Sequence, residues 1–86
     1  MKAQSLNVIL MNGGKISYQS EWLEDNPFRA IDNATAYAYR FNIAWDYAYT
    51  EVVYHHKIKS YSKRITGATA EYRIETRDIR WLNPNW

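Results

Sequence analysis

Between Asn26 and Tyr47 (NPFRAIDNATAYAYRFNIAWDY) the apolar positions Ile31, Ala34, Ala38, Phe41 and Trp45 recur at intervals of three and four. That spacing lines one stripe of a helix. Arg29, Asn33, Arg40 and Tyr47 fall on the opposite, solvent side, and Tyr39 and Ile43 lie off the stripe. Asn26 is a favourable N-cap and Pro27 suits the first helical position, where no N–H is needed. Glu24 and Asp25 just ahead complement the positive pole of the helix. The helix is expected to run to about Asp46; no clear stop signal follows, and continuation toward Tyr49 is the alternative.

The flanking segments alternate with period two. Asn12-Gly13 is a strong hairpin signal between an apolar run over residues 5–11 and an alternating stretch from Lys15 to Trp22. A short loop there places Ile9, Met11, Ile16 and Tyr18 on a shared face, which is expected to meet the helix. After Thr50, the positions Val52, Tyr54, His56 and Ile58 oppose Glu51, Val53, His55 and Lys57, a strand pattern rich in β-branched and aromatic residues. Residues 59–69 (KSYSKRITGAT) are polar, basic and end in a Gly turn, and residues 59–66 read equally as strand or loop. Glu71 to Arg77 alternates again, with Tyr72, Ile74 and Thr76 opposite Arg73, Glu75 and Arg77. Asp78 is expected to break that register with a bulge. The order β-β-α-β-(β)-β predicts one α+β domain over residues 1–86. It would be an antiparallel sheet with one central helix across a single face, the other face open.

Composition narrows the function classes. Eighty-six residues support one core, and a chain of that size buries only about 60% of its unfolded surface. With no cysteine there is no disulfide framework or thiolate metal site, which fits a reducing cytoplasm. The apolar run Leu6, Val8, Ile9, Leu10, Met11 is too short for a signal peptide or a membrane span. The expectation is a soluble protein. The net charge of +2 is unevenly spread. From Ile16 to Glu51 six acidic side chains face two basic ones, and from Lys57 to Arg80 seven basic face three acidic. Eight Tyr, four Trp and two Phe exceed what one helix can cover, so either Tyr sits half-buried in the strands or some aromatics serve an interface.

Catalytic chemistry finds no foothold. His55 and His56 are neighbours on an expected strand, so they point apart and cannot share a metal or form a dyad. Ser60, Ser62 and Thr66 lack a nucleophile elbow and an acid–base partner. Glu71 and Glu75 interleave with Arg73 and Arg77 as a solvated ion-pairing face. Asn12-Gly13-Gly14 lacks the helix that a phosphate loop requires. The expectation is a non-enzyme without cofactor or metal.

Two binding surfaces remain. Lys57, Lys59, Lys63 and Arg64 with Tyr61 among them, extended by Arg73, Arg77, Arg80 and Trp81, could hold phosphate and stack a base. The same run also reads as a solvated hairpin with ordinary surface charges. Trp22, Glu24, Asp25, Asp32, Tyr39 and Asp46 form an acidic, aromatic set suited to a basic protein groove, with Trp22 and Tyr39 as anchors. Alternatively, Trp22 closes the end of the core. An exposed edge strand would permit a homodimer.

The overall plan combines small size, no cysteine, an initial hairpin at Asn12-Gly13 and an Ala-rich helix over residues 27–46 followed by strands. It resembles small accessory proteins of bacteriophages, including several anti-CRISPR proteins and toxin inhibitors. That resemblance implies a stoichiometric inhibitor of a host defence complex or toxin, acting in the host cytoplasm. Its partner would be a host protein or ribonucleoprotein, without membrane association. The alternative is an RNA- or DNA-binding protein using the basic-aromatic second half.

Overall fold

In a computed structural model describing residues 3–78, the chain forms an antiparallel sheet with one helix on one face. The elements are β1 (Gln4–Asn12), β2 (Lys15–Glu24), α1 (Pro27–Arg40), β3 (Tyr47–Tyr54), β4 (Lys57–Thr66) and β5 (Thr69–Asp78). The spatial order is β2-β1-β3-β4-β5, so α1 carries the chain from the edge strand β2 across the sheet to β3. The expected α+β order holds, and residues 59–66 belong to a strand.

Three two-residue turns build the hairpins. Gly13-Gly14 and His55-His56 both take positive φ at their two central residues, 60° and 82° in the first and 49° and 63° in the second. That is the primed turn whose twist matches the strands it joins. At Gly67-Ala68 only the glycine has positive φ, 62°. The histidines therefore occupy a turn, not opposite faces of a strand.

α1 begins as expected, with the Asn26 side chain accepting from the Phe28 N–H at 2.9 Å and Pro27 in the first turn. Its end comes earlier. Asn42 adopts φ 56°, and the Ile43 N–H returns to the Ala38 carbonyl at 2.9 Å. This six-to-one closure marks a Schellman motif. Phe41 is consequently 57% exposed, while Ile43 and Trp45 pack from the following loop against the rim of the core.

That core lies between α1 and the central strands. Ala30, Ile31, Ala34 and Ala38 meet Leu6, Val8, Leu10 and Ala48, all of them buried. The alanines let the helix approach closely, and Tyr18, Trp22, Phe28, Val52 and Tyr61 close the margin. The helix-facing residues of β1 are thus the even-numbered ones, and Ile9 and Met11 point the other way. A register shift lies between Leu10 and Met11, whose partners are Tyr18 and Ile16, so Ser17 is an extra residue in β2. The Ser17 hydroxyl donates to the Leu10 carbonyl at 3.3 Å. The bulge leaves Tyr18 under the helix and Ile16, 59% exposed, on the opposite side with Met11. β5 runs in register to Asp78, opposite Lys57, and the break expected from Asp78 on, with Ile79 and Trp81, lies outside the described residues.

Candidate functional site

Because helix and loop cover one face of the sheet, the strand registers assign every other side chain to the open face. On β3 these are Tyr47, Tyr49, Glu51 and Val53. Their cross-strand neighbours on β4 are Arg64, Ser62, Ser60 and Ile58, which face Glu71, Arg73, Glu75 and Arg77 on β5. On the other side of Tyr47 and Tyr49 stand Met11 and Ile9 of β1. Side chains on one face of paired strands lie close enough to act together.

Tyr47 and Tyr49 form the centre of this face, with ring centroids 5.6 Å apart. The Arg64 guanidinium lies 4.4 Å from the Tyr47 ring centroid, within the range of a cation–π contact. Two adjoining depressions share Tyr47 and Glu75. One, of about 430 Å³, is bordered by Tyr49, Glu51 and Arg77. The other, of about 340 Å³, is bordered by Arg64, Glu71 and Arg73. The short serines Ser60 and Ser62 form their floors between taller rows. Arg73 lies 3.9 Å from Glu71 and Arg77 lies 3.7 Å from Glu51, both exposed pairs of small energetic weight. Three cations and three anions thus interleave around two aromatic rings.

The basic set expected from the sequence does not form one surface. Lys57, Lys59, Tyr61 and Lys63 point to the helix side, while Arg64, Arg73 and Arg77 point to the open face. Strand alternation forces this division, because consecutive residues of a strand face opposite ways. Lys63 and Tyr61 hold the fold together. Lys63 Nζ is 3.4 Å from Asp32 and lies over the rings of Trp45 and Tyr72. Tyr61 meets Phe28 edge to face at 5.3 Å, as does Tyr72. Lys57 remains exposed, and Lys59 lies 6.0 Å from the Tyr61 ring. Arg80 and Trp81 fall outside the described residues.

The acidic, aromatic set is likewise dispersed. Trp22 closes the core margin, with its indole N–H donating to Ser20 Oγ at 2.6 Å and its ring edge-on to Tyr37. Tyr37 also stacks on Tyr18, and its hydrogen bond, followed by desolvation, holds the Tyr18 phenol above the usual value. Glu24 accepts from Asn33 at 2.7 Å, Asp32 from Tyr72 at 2.9 Å, and Asp46 from the Gly13 N–H at 3.0 Å. Asp25 is half-buried beside the helix start, and Tyr39 is 87% exposed on the last turn of α1. Glu24, Asp32 and Asp46 serve as intramolecular acceptors spread along the helix and the loop after it.

The sequence alone does not single out Tyr47 and Tyr49, because the helical spacing places Tyr47 on the solvent side of the helix and the missing stop signal leaves Tyr49 as an alternative helix end. The alternation Tyr47, Tyr49, Glu51, Val53 against Ala48, Thr50, Val52 was the available signal. Among the described residues no three His, Asp or Glu side chains converge as metal ligands, and no helix is long and apolar enough to cross a membrane. No family model matches the chain, and neither the curated proteins nor the solved structures contain a significant match to it.

Proposed function

We propose that this chain is a small non-catalytic binding protein that occupies the surface of another protein through the open face of its sheet. Tyr47 and Tyr49 are its anchors. The observation that carries this reading is the pair of rings on the central strand β3, set over two shallow depressions and ringed by Arg64, Arg73, Arg77, Glu51, Glu71 and Glu75. Tyr and Arg dominate the energetics of protein interfaces, combining large contact area with polar tips. Interleaved charges of both signs suit a mixed polar rim and supply orientation. A polyanion would favour a face with a net positive field. Stoichiometric inhibition of a host defence complex or toxin, in the host-cell cytoplasm, is a role such a binder fills, and it is the proposed one.

A nucleic-acid partner is the second reading, favoured by Arg64 over the Tyr47 ring, a platform on which an unpaired base can stack.

The test is capture by tagged protein from bacterial lysate, with and without nuclease, comparing the wild type with the double variant Tyr47→Ala/Tyr49→Ala. A partner retained at stoichiometric amounts after nuclease, and bound at least tenfold more weakly by the variant, supports the protein-binding reading; hot-spot truncations have about that size. Circular dichroism checks that the variant remains folded. Unchanged capture by the folded variant overturns the docking face. Loss of the partner on nuclease treatment, with affinity falling steeply as salt rises, replaces the first reading by the second.

A further inference from the structure

Among the described residues the sheet ends in two edge strands, β2 and β5, and they differ. β2 is broken by the bulge at Ser17, whereas β5 pairs with β4 without interruption over Thr69–Asp78. The turn Gly67-Ala68 closes the β4–β5 hairpin with Thr66 opposite Thr69, and a two-residue turn closes on a hydrogen-bonded pair. Counting from it, Glu71, Arg73, Glu75 and Arg77 direct their backbone N–H and C=O towards β4. Ala70, Tyr72, Ile74 and Thr76 direct theirs outward. An edge with outward N–H and C=O groups of this kind is a template for another strand.

Its side chains say which strand. On the open face β5 carries Glu71, Arg73, Glu75 and Arg77, and on the helix side Tyr72 and Ile74, 47% and 49% exposed. The alternation of charge is inverted when the strand is read backwards about Ile74. An antiparallel copy centred there meets every acid with a base. We propose that β5 pairs with β5 of a second copy of this chain, antiparallel, about a two-fold axis at Ile74, joining the two sheets into one.

In this register Arg73 faces Glu75 and Glu71 faces Arg77 across the seam, each pair occurring twice by symmetry. These are non-hydrogen-bonded positions, where opposed side chains come closest. Ile74 meets its symmetry mate and Tyr72 meets Thr76 at the hydrogen-bonded positions, so the exposed apolar surface on the helix side is covered at the same time. Moving the axis to Arg73 or Glu75 sets like charges opposite each other. Moving it to Tyr72 or Thr76 keeps only one of the two kinds of ion pair within the described strand. The exposed contacts Arg73–Glu71 and Arg77–Glu51 give way at little cost. The seam draws on the outer charges of the open face but not on Tyr47 or Tyr49, so dimerisation and docking on those rings are tested separately.

Sedimentation equilibrium over a range of protein concentrations tests it. The wild type is expected to dimerise reversibly. Arg73→Glu opposes two acids at both copies of one pair and should raise the dissociation constant roughly tenfold, given the size of cross-strand charge effects. Arg73→Glu/Glu75→Arg should restore it, and because these positions face Ser62 and Ser60 on β4, neither change sets like charges across that ladder. Ile74→Pro removes only an outward N–H, leaves the β4 ladder paired and should give a folded monomer by circular dichroism. A wild type that stays monomeric at every accessible concentration overturns the proposal. So does a dimer indifferent to both Arg73→Glu and Ile74→Pro, or a charge swap that fails to rescue.

Discussion

Asp32 holds the helix to the far half of the sheet. Its Oδ1 receives both the Tyr72 hydroxyl at 2.9 Å and the Lys63 ammonium at 3.4 Å, uniting α1, β4 and β5. Lys63 contributes more than charge, because its stem and ammonium lie between the Trp45 and Tyr72 rings. The carboxylate itself is about half exposed, which limits the value of the ion pair. Asp32→Ala should therefore lower the unfolding free energy by about 1 kcal/mol, from one hydrogen bond and a screened charge contact. A urea midpoint shifted down at constant slope is the expected result. An unchanged midpoint would mean that the aromatic contacts of Phe28 with Tyr61 and Tyr72 hold the helix alone.

At the scale of elements, the turns distribute strain unevenly. His55 and His56 both sit in the left-handed region, where residues with a β-carbon cost about 1–2 kcal/mol each relative to the right-handed one. His55→Asn/His56→Gly supplies the residues that the primed turn prefers and should stabilise the protein by about 1 kcal/mol, a rise of roughly 5 °C in Tm for a domain this small. Thermal unfolding checks this. Two of the hairpins and the element order were legible from the chain because turn chemistry is local: glycines form one turn, a glycine opens another, and Glu71 to Arg77 alternates cleanly. The turn at His55-His56 was not, because neither residue is a turn signal and the alternation from Val52 to Ile58 runs through it. The facing of β1 was not. In Leu6 to Met11 both parities are apolar, so periodicity cannot choose between Leu6, Val8, Leu10 and Ile9, Met11. The bulge at Ser17 then breaks the phase between Ile16 and Tyr18. The helix end was obscured because Asn42 stops it through an αL conformation, while the apolar spacing continues through Trp45. Misassigning that end hid Tyr47 and Tyr49. The basic cluster was visible as a run, and its division into Lys57, Lys59, Lys63 on one side and Arg64 on the other follows from period two.

For the whole molecule, the flat outline of 45 × 31 × 20 Å means that tight packing is confined to the contact of α1 with β1 and β3. Leu6, Val8, Leu10, Ile31 and Ala48 are buried there, whereas the β5 side chains from Thr69 to Arg77 are all exposed. Local opening follows buried apolar contact. Native-state hydrogen exchange should accordingly be slowest in β1 and the middle of α1 and fastest in β5. At low protein concentration the N–H groups of Tyr72, Ile74 and Thr76 should exchange ahead of those of Arg73 and Glu75. Uniform protection across β4 and β5 would show that the sheet unfolds only as one cooperative unit.

The bulge at Ser17 has a consequence for colloidal behaviour. A sheet with two smooth borders can add strands at both, and copies of such a molecule grow into filaments. Here the extra residue kinks and twists one border near its start, which shortens its even run of donors and acceptors to the stretch from Tyr18 to Glu24. The proposed junction consumes the smooth border, and what remains for further growth is the shortened one. Ser17 thus shortens the border left over in a pair, which disfavours longer ordered stacking of these sheets.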